Sequence, residues 1–286
     1  MRFEFIKRHA GQFKVRTMCR MLQVSRAGYY AWRKRPSSAR DEANQRLLKL
    51  LRRLFALNHK RYGYRRIHHV ARKEIPCGVH RVARLMSRDG LKVPQRRRRW
   101  STTQSKHKRP VPPNILGREF MAEGPNHIWL SDLTYVPTEQ GWLYLAVVLD
   151  LYARRVVGWA MEPFLAGPLT RKALKMALRR RQPAPALLHH SDRGTQYASL
   201  DYRKLLLSNK AAISMCRKGE VLDNAPMESF YATLKKELIH RCHYQTRREA
   251  KSSIFEYIDG YYNPLRIHSA IQYYSPVAYE ALYFAP

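Results

Sequence analysis

The stretch IWLSDLTYVPTEQGWLYLAVVLDLYARRVVGWAM, residues 128–161, decides the architecture. Ile128 to Val136 alternates as a half-buried strand does, and Leu143 to Leu149 is continuously apolar, like a strand buried on both faces. Val156 to Met161 reads as a third strand. The connections, around Glu139-Gln140-Gly141 and from Tyr152 to Arg155, are too short for a crossover, so an antiparallel meander is predicted. One position breaks the pattern. Asp132 shares its parity with Ile128, Leu130, Thr134 and Val136, which sets an acid on a largely apolar face. A lone buried carboxylate normally protonates, pairs with a cation or binds a metal; at the open end of the strand it would simply meet water.

Downstream, helix and strand alternate. Gly167 to Arg181 predicts a helix with Leu169, Ala173, Met176 and Ala177 inward, Leu187 to His190 a short strand, and Leu200 to Ser208 a helix. Ala212 to Met215 predicts a strand, and Pro226 to His240 a helix striped by Met227, Phe230, Tyr231, Leu234 and Leu238. Three antiparallel strands, then alternating helix and strand, is the order of a ribonuclease-H-like fold: an α/β (α+β) core on a mixed five-stranded sheet. Residues 246–262 predict one more helix before an aromatic, irregular tail.

Upstream the composition changes. The 286 residues carry 54 Lys and Arg against 21 Asp and Glu, a formal charge of +33. Residues 1–118 hold 33 of the basic and 5 of the acidic residues, a net of +28, and no acid lies between Asp89 and Glu119. A face kept soluble by charge explains the small excess elsewhere. It does not explain +28, whose self-repulsion calls for a polyanion, so nucleic acid is the expected partner. Phe13, Val15, Met18 and Leu22 space a short helix, Gln23-Val24 turns, and Ser25 caps a second helix through Trp32. These helix-turn-helix proportions would offer Ser25, Arg26 and Tyr30 to DNA, although such hairpins also occur in proteins that bind nothing. Asp41 to Asn58, Tyr64 to Lys73 and Val79 to Arg88 predict further helices, with Arg65 and Arg66 among their many basic side chains. From Val93 to Gly117, four prolines and the run Arg96, Arg97, Arg98, Arg99 read as a linker tracking a phosphate backbone or as a disordered hinge. The expected organisation is an all-helical helix-turn-helix-like segment at 1–38, a basic helical DNA-binding domain at 39–92 and a basic Pro-rich linker at 93–123. The catalytic core follows at 124–245, then a helix and aromatic tail at 246–286.

Other classes fall away. The longest apolar run, Trp142 to Leu149, is far short of the ~20 residues of a membrane span, so no membrane association is expected. The opening MRFEFIKRHAG lacks the apolar stretch of a signal peptide, and the four cysteines form no C-x-x-C pair. A reducing cytoplasm fits, while a disulfide scaffold and a zinc finger do not.

Two more acids complete a constellation. Asp192 ends the fourth predicted strand, and Glu228 lies in the first turn of the helix announced by Asp223-Asn224-Ala225-Pro226. Taken singly, a turn explains the first and the helix dipole the second. Taken together, the fold sets the fourth strand beside the first, bringing Asp192 next to Asp132 with Glu228 facing both. Converging carboxylates repel unless divalent cations sit among them, and oxygen donors without cysteine favour Mg2+ or Mn2+. Two such ions about 3.5–4 Å apart would serve an in-line phosphoryl displacement.

At these residues the chain resembles the catalytic protein, OrfB, of the insertion sequence 3 family of bacterial transposases, within the retroviral-integrase-like DDE superfamily. Between Asp192 and Glu228 stand 35 residues, and WLSDLTYVPT (129–138), HHSDRGTQY (189–197), DNAPMESFYATLKKEL (223–238) and YNPLRIH (262–268) are all family-like. VSRAGYYAWRKRP (24–36) and RYGYRRI (61–67) extend the likeness to the amino-terminal part. The resemblance implies Asp132, Asp192 and Glu228 as a catalytic triad holding two Mg2+ (or Mn2+). It also implies that Lys235, two helical turns beyond Glu228, contacts DNA near the reacting phosphate, where the residues alone suggest a solvent-facing lysine. Arg193, Gly194, Gln196 and Tyr197 would shape the loop beside the metals. Arg266 lies in the family-like YNPLRIH segment and is counted among the DNA contacts; His190 and His268 would approach the site or a phosphate, a structural role being as good a reading for each histidine.

The implied activity is 3′-end cleavage and strand transfer of double-stranded DNA, from terminal inverted repeats to a target, by a dimer or higher homo-oligomer. In relatives an upstream product, OrfA, is joined by ribosomal frameshifting, so this chain is expected to be fused to such a partner or to cooperate with it. The competing readings are a catalytically silent DNA-binding regulator and a ribonuclease-H-like nuclease without strand transfer. Two departures stand out: Glu220-Val221-Leu222 where relatives often carry Asn-Cys-Trp, and Gln272 where Gly is frequent.

Overall fold

The alternation of residues 128–161 is resolved as a sheet in the computed structural model, which describes residues 2–34, 38–94, 111–165 and 167–285. Strands β1 (Ile128–Val136), β2 (Leu143–Asp150) and β3 (Arg155–Glu162) pair antiparallel, with Asp132 opposite Val147. Strand β4 (Leu188–Ser191) joins β1 in parallel and β5 (Ala212–Met215) extends from β4, giving the order β3-β2-β1-β4-β5. The central strand β1 has nine residues and β4 only four. Ser131 therefore pairs with Ser191 at the end of the parallel ladder. The next residue on each strand is an aspartate.

Period-two alternation divides the apolar residues between two layers. On one face Trp129, Ala146, Val148 and Val157 pack with α7 (Gly167–Arg181) and α8 (Leu200–Ser208). On the other, Leu130, Val136, Leu145 and Val147 meet the stripe Met227, Phe230, Tyr231 and Leu234 of α9 (Ala225–Glu237), with Ala250 and Ile254 of α10 (Arg247–Phe255). The approach of α7 to β3 demands Gly158, where an added Cβ would stand 2.3 Å from the Ala173 carbonyl oxygen. Helix α10 runs on as a π-helical stretch, Glu256–Tyr262. Asn263 then bonds both the N–H and the C=O of Val156, at 2.9 Å each, covering part of the edge strand β3. This arrangement is ribonuclease-H-like.

The tail differs from the expectation of an irregular segment: Pro276–Tyr283 forms α11, opened by Ser275, whose hydroxyl accepts from the Ala278 N–H at 3.3 Å. Its few aromatic residues carry no clean period, and the helix is held instead by buried Glu280, which pairs with Arg155 and Arg181. Just before it, Gln272 and Tyr273 adopt left-handed φ of 53° and 62°. That geometry is the physical reason a glycine suits position 272.

The chain divides into two compact units, residues 1–92 and 93–286. In the second, residues 111–123 lie on the core rather than hanging free. Leu116 is buried, the N–H groups of Ile115 and Leu116 donate to Ser214 Oγ, and the Met215 N–H donates to the Pro113 carbonyl. In the first unit, α2 (Val15–Met21) and α3 (Arg26–Lys34) form as predicted and are joined by an unforeseen α1 (Arg2–His9) around Ile6, Met18, Cys19 and Tyr29. Helices α4 (Ala39–Leu57), α5 (Tyr64–Ala71) and α6 (Val79–Arg88) bury Leu47, Leu51, Ile67, Val82 and Leu85 and are tied by the ion pairs Arg52–Asp89 and Arg53–Glu74. Among the described residues no helix is long and apolar enough to cross a membrane. Arg96, Arg97, Arg98 and Arg99 lie outside the described residues.

Candidate active site

Asp132 is half-buried at the point where β1 outruns β4. Its Oδ1 accepts from the Leu133 N–H at 2.7 Å, and Tyr231 of α9 donates to its backbone carbonyl at 2.6 Å, pinning strand to helix. Burial, and next the charge of Asp192, hold its carboxyl well above the usual carboxylate range; Glu228 pushes the same way, while the Leu133 N–H and the Lys235 ammonium oppose. Three side chains, Asp192 from the β4 end and Glu228 and Lys235 from α9, thus act on one carboxylate of β1.

Asp192 begins a tight turn. Its Oδ1 accepts from the Gly194 N–H at 2.9 Å, and a Cβ at position 194 would crowd that same oxygen at 2.9 Å. Gly194 is thus what lets the loop fold back under the carboxylate. Tyr197 closes this turn from beneath, its N–H donating to the Gly194 carbonyl at 3.0 Å and its phenol buried within the field of Asp132 and Asp192. Glu228 is exposed on the first turn of α9, and burial of its carboxyl raises its pKa. Lys235 is half-buried with its ammonium 5.4 Å from the centre of the Tyr135 ring; burial lowers its pKa, against the pull of Asp132. The lysine is therefore not a plain solvent-facing side chain.

The turn leading into α9 is anchored by Asp223, a residue sequence reasoning passed over. It is fully buried and accepts from Arg217, Arg118 and Asn114, and Arg217 first, then Arg118, hold its carboxyl far below the usual range. Arg118 also pairs with Glu220. In sequence the DNAP tetrapeptide announces only a helix start; a buried aspartate needs partners from distant segments, which local pattern does not reveal.

Other expected site residues fall elsewhere. His190 is buried between Ser214 Oγ (2.8 Å) and Cys216 Sγ (3.3 Å), and burial lowers its pKa to about 4; it is a core residue. His189 bonds Ser131 Oγ at 2.8 Å and the Tyr202 hydroxyl at 3.0 Å. Arg266, expected on DNA, is 2% exposed, and its guanidinium makes two bonds to Glu237, at 2.8 and 2.9 Å. A guanidinium so enclosed serves the core and not a phosphate, which corrects the expectation. His268 stacks edge-on against Tyr262 and touches Arg266. Arg193 donates to the Cys216 carbonyl at 2.8 Å. In the first unit Ser25 is the cap of α3, accepting from the Gly28 N–H at 2.9 Å; Arg26, Tyr30 and Arg65 are exposed, and Arg66 lies over the Tyr62 ring.

The donor set at Asp132 is all oxygen, and burial together with repulsion from Asp192 and Glu228 raises its carboxyl, which is the chemistry a hard divalent cation relieves. Among the described residues no three His, Cys, Asp or Glu side chains are gathered closely enough to hold one ion.

Comparison with known proteins follows this division of the chain. Residues 122–220 and 228–282 each match a model described as an integrase core domain, and residues 42–99 match one described as an HTH-like domain. The chain is 42% identical over 267 residues to the insertion element IS600 uncharacterized 31 kDa protein of Shigella sonnei, covering 93% of this chain and 98% of that one. It is 38% identical over 283 residues to transposase InsF for insertion sequence IS3A of Escherichia coli (strain K12), covering 98% of each. Among solved structures, the HTLV-2 integrase catalytic core domain in complex with magnesium (dimeric form) aligns at 18% identity and a TM-score of 0.39, over 51% of this chain and 92% of that one.

Proposed function

Since the chain belongs to the insertion sequence 3 family of bacterial transposases, in the DDE, retroviral-integrase-like superfamily, we propose that it cleaves the 3′ ends of its insertion sequence and joins them to target DNA. The observation that carries this reading is the Ser131–Ser191 pair that ends the β1–β4 ladder, so that Asp132 and Asp192 follow on adjacent strands, with Glu228 and Lys235 of α9 influencing the same carboxylate. In this proposal Asp132, Asp192 and Glu228 hold two Mg2+ or Mn2+ ions. Such ions, when bound, lower the pKa of an attacking hydroxyl and stabilise the leaving oxygen. The protein supplies the rest. The β1–β4 ladder ends at Ser131 and Ser191, so the two aspartates follow on adjacent strands; the Gly194 N–H holds the Asp192 carboxylate, Tyr231 holds the Asp132 backbone carbonyl, and the Lys235 ammonium offers a phosphate oxygen a partner beside the reacting bond. The basic first unit holds the duplex mainly through phosphates, and two copies or more bridge the paired ends. An upstream product fused to or cooperating with this chain would add to its grip on the ends.

The test is an oligonucleotide bearing an element end with a free 3′-OH, incubated with target plasmid and Mg2+. Joined products support transposition. Nicks alone would mark a nuclease without strand transfer, and binding without either product a regulator.

A further inference from the structure

Asn224 is the last residue before α9, the position where a side-chain oxygen ordinarily accepts a bond from the first helical N–H groups. Here no such bond is made. The side chain is 4% exposed, and its Nδ2 donates to the carbonyl of Ser131 at 3.4 Å. A carbonyl only accepts, so this contact fixes which end of the amide is nitrogen. The Oδ1 atom is left buried with no hydrogen-bond partner among the described residues.

Its place gives the orphan atom meaning. Ser131 pairs with Ser191, and the residues that follow them are Asp132 and Asp192. Glu228 lies four residues on from Asn224, one turn along the same helix. The amide therefore spans from the helix of one acid to the strand end that carries another. Its neighbour Asp223 is locked by Arg217, Arg118 and Asn114, so the amide is held and does not simply drift. Buried acceptors are ordinarily satisfied, and an exception at such a spot points to a partner that arrives with the substrate.

The chemistry of that partner is narrow. An amide oxygen binds only a donor or a cation. Phosphodiester oxygens accept and do not donate, so the DNA backbone itself is excluded. The Lys235 ammonium, the other donor beside the reacting bond, is drawn to the Asp132 carboxylate and the phosphate; that leaves the hydroxyls that attack the phosphate, water in cleavage and a DNA 3′-OH in joining. We propose that Asn224 Oδ1 accepts the hydrogen bond of the attacking hydroxyl and aims its lone pair at phosphorus. The inference rests on the transposase reading. Asn224 takes no proton in this role: as the attacking oxygen bonds phosphorus, its proton passes to water, the bond from phosphorus to the departing DNA 3′ oxygen breaks, and that oxygen is protonated from water. Asn224 is a catalytic residue by contact and alignment.

The experiment compares the full chain with Asn224→Ala and Asn224→Ser, the second keeping a good helix-capping residue. Three quantities are read: duplex affinity and melting temperature, half-saturating Mg2+, and the rates of end cleavage and of joining from a pre-cleaved 3′-OH end. Expected are melting temperature and affinity near wild type, unchanged half-saturating Mg2+, and both rates lower by about 10–100-fold at saturating metal. Rates equal to wild type would overturn the proposal. A raised Mg2+ requirement with rates restored at high metal would also overturn it and make the amide a cation ligand. Loss of folding in both variants would make it a structural group and end the proposal likewise. Failure of the wild-type chain to join ends would instead count against the transposase reading itself.

Discussion

The Lys235 ammonium and the Asp132 carboxylate act on one another across the gap between α9 and β1, while the Tyr135 ring lies 5.4 Å from that ammonium. A half-buried cation placed beside an acid cluster is suited to meet a phosphate that must enter against like charge. Lys235→Ala should therefore lower joining by about 10–100-fold, and Lys235→Arg should keep a substantial part of it. Joining rates measured on a pre-cleaved end check this. A rate equal to wild type for the alanine variant would return Lys235 to the surface.

Asp132→Asn keeps the shape of the side chain and removes its charge. Cleavage should be lost while affinity for an end duplex stays within about two-fold, because the excess positive charge lies in residues 1–118. Anisotropy titration beside a cleavage gel separates the two effects. Cleavage by the variant would dismiss Asp132 from the site. The same titration at rising salt should show a steep loss of affinity, as release of condensed counterions demands.

Arg266 gives a prediction of the opposite kind. Removing one member of a buried ion pair leaves the other uncompensated, so Arg266→Gln should cost roughly 3–5 kcal/mol and lower the melting temperature by about 10 °C. DNA affinity of the protein that remains folded should be unchanged. A variant with native stability and weakened binding would restore Arg266 to the DNA surface.

The two histidines before Asp192 set a pH dependence. Burial, joined for His189 by the neighbouring His190, lowers their pKa values to about 3 and about 4. The fold thus holds both neutral, and below about pH 6.5 the unfolded chain takes up protons that the folded one refuses. Each should remove about 1.4 kcal/mol of stability per pH unit on the descent toward pH 4. Asp150, lifted to about 6 by burial, acts with the opposite sign, since the fold favours its protonated form as pH falls below 6, and Asp132 does the same. Replacing one imidazole isolates its share. His190→Gln should flatten the unfolding free energy between pH 6.5 and 4 by about that slope, measured by urea titration at stepped pH. An equally steep variant would mean that His190 is charged in the native core.

The order of elements was legible in the amino-acid string because strands and helices write their period locally. Ile128 to Val136 alternates, Leu143 to Leu149 is apolar throughout, and Gly167 to Arg181 carries its stripe, so β1, β2 and α7 needed no tertiary information. Asp132 stands out for a related reason: it interrupts an apolar parity, and a break in a pattern is visible only where the pattern is strong. Helix α11 was not legible, since a short segment with only Tyr279 and Tyr283 as aromatics has no dominant period and is stabilised by distant Arg155 and Arg181. Contacts between remote positions have no local signature. Folding alone decided that Arg266 would spend its charge on Glu237, that Arg118 and Arg217 would lock Asp223, and that Asn224 would be left with an unsatisfied oxygen. Local sequence records what each segment prefers by itself; whether a charged or polar atom finds a partner depends on which segments the packed core brings within 3 Å, and that is settled only when the layers close.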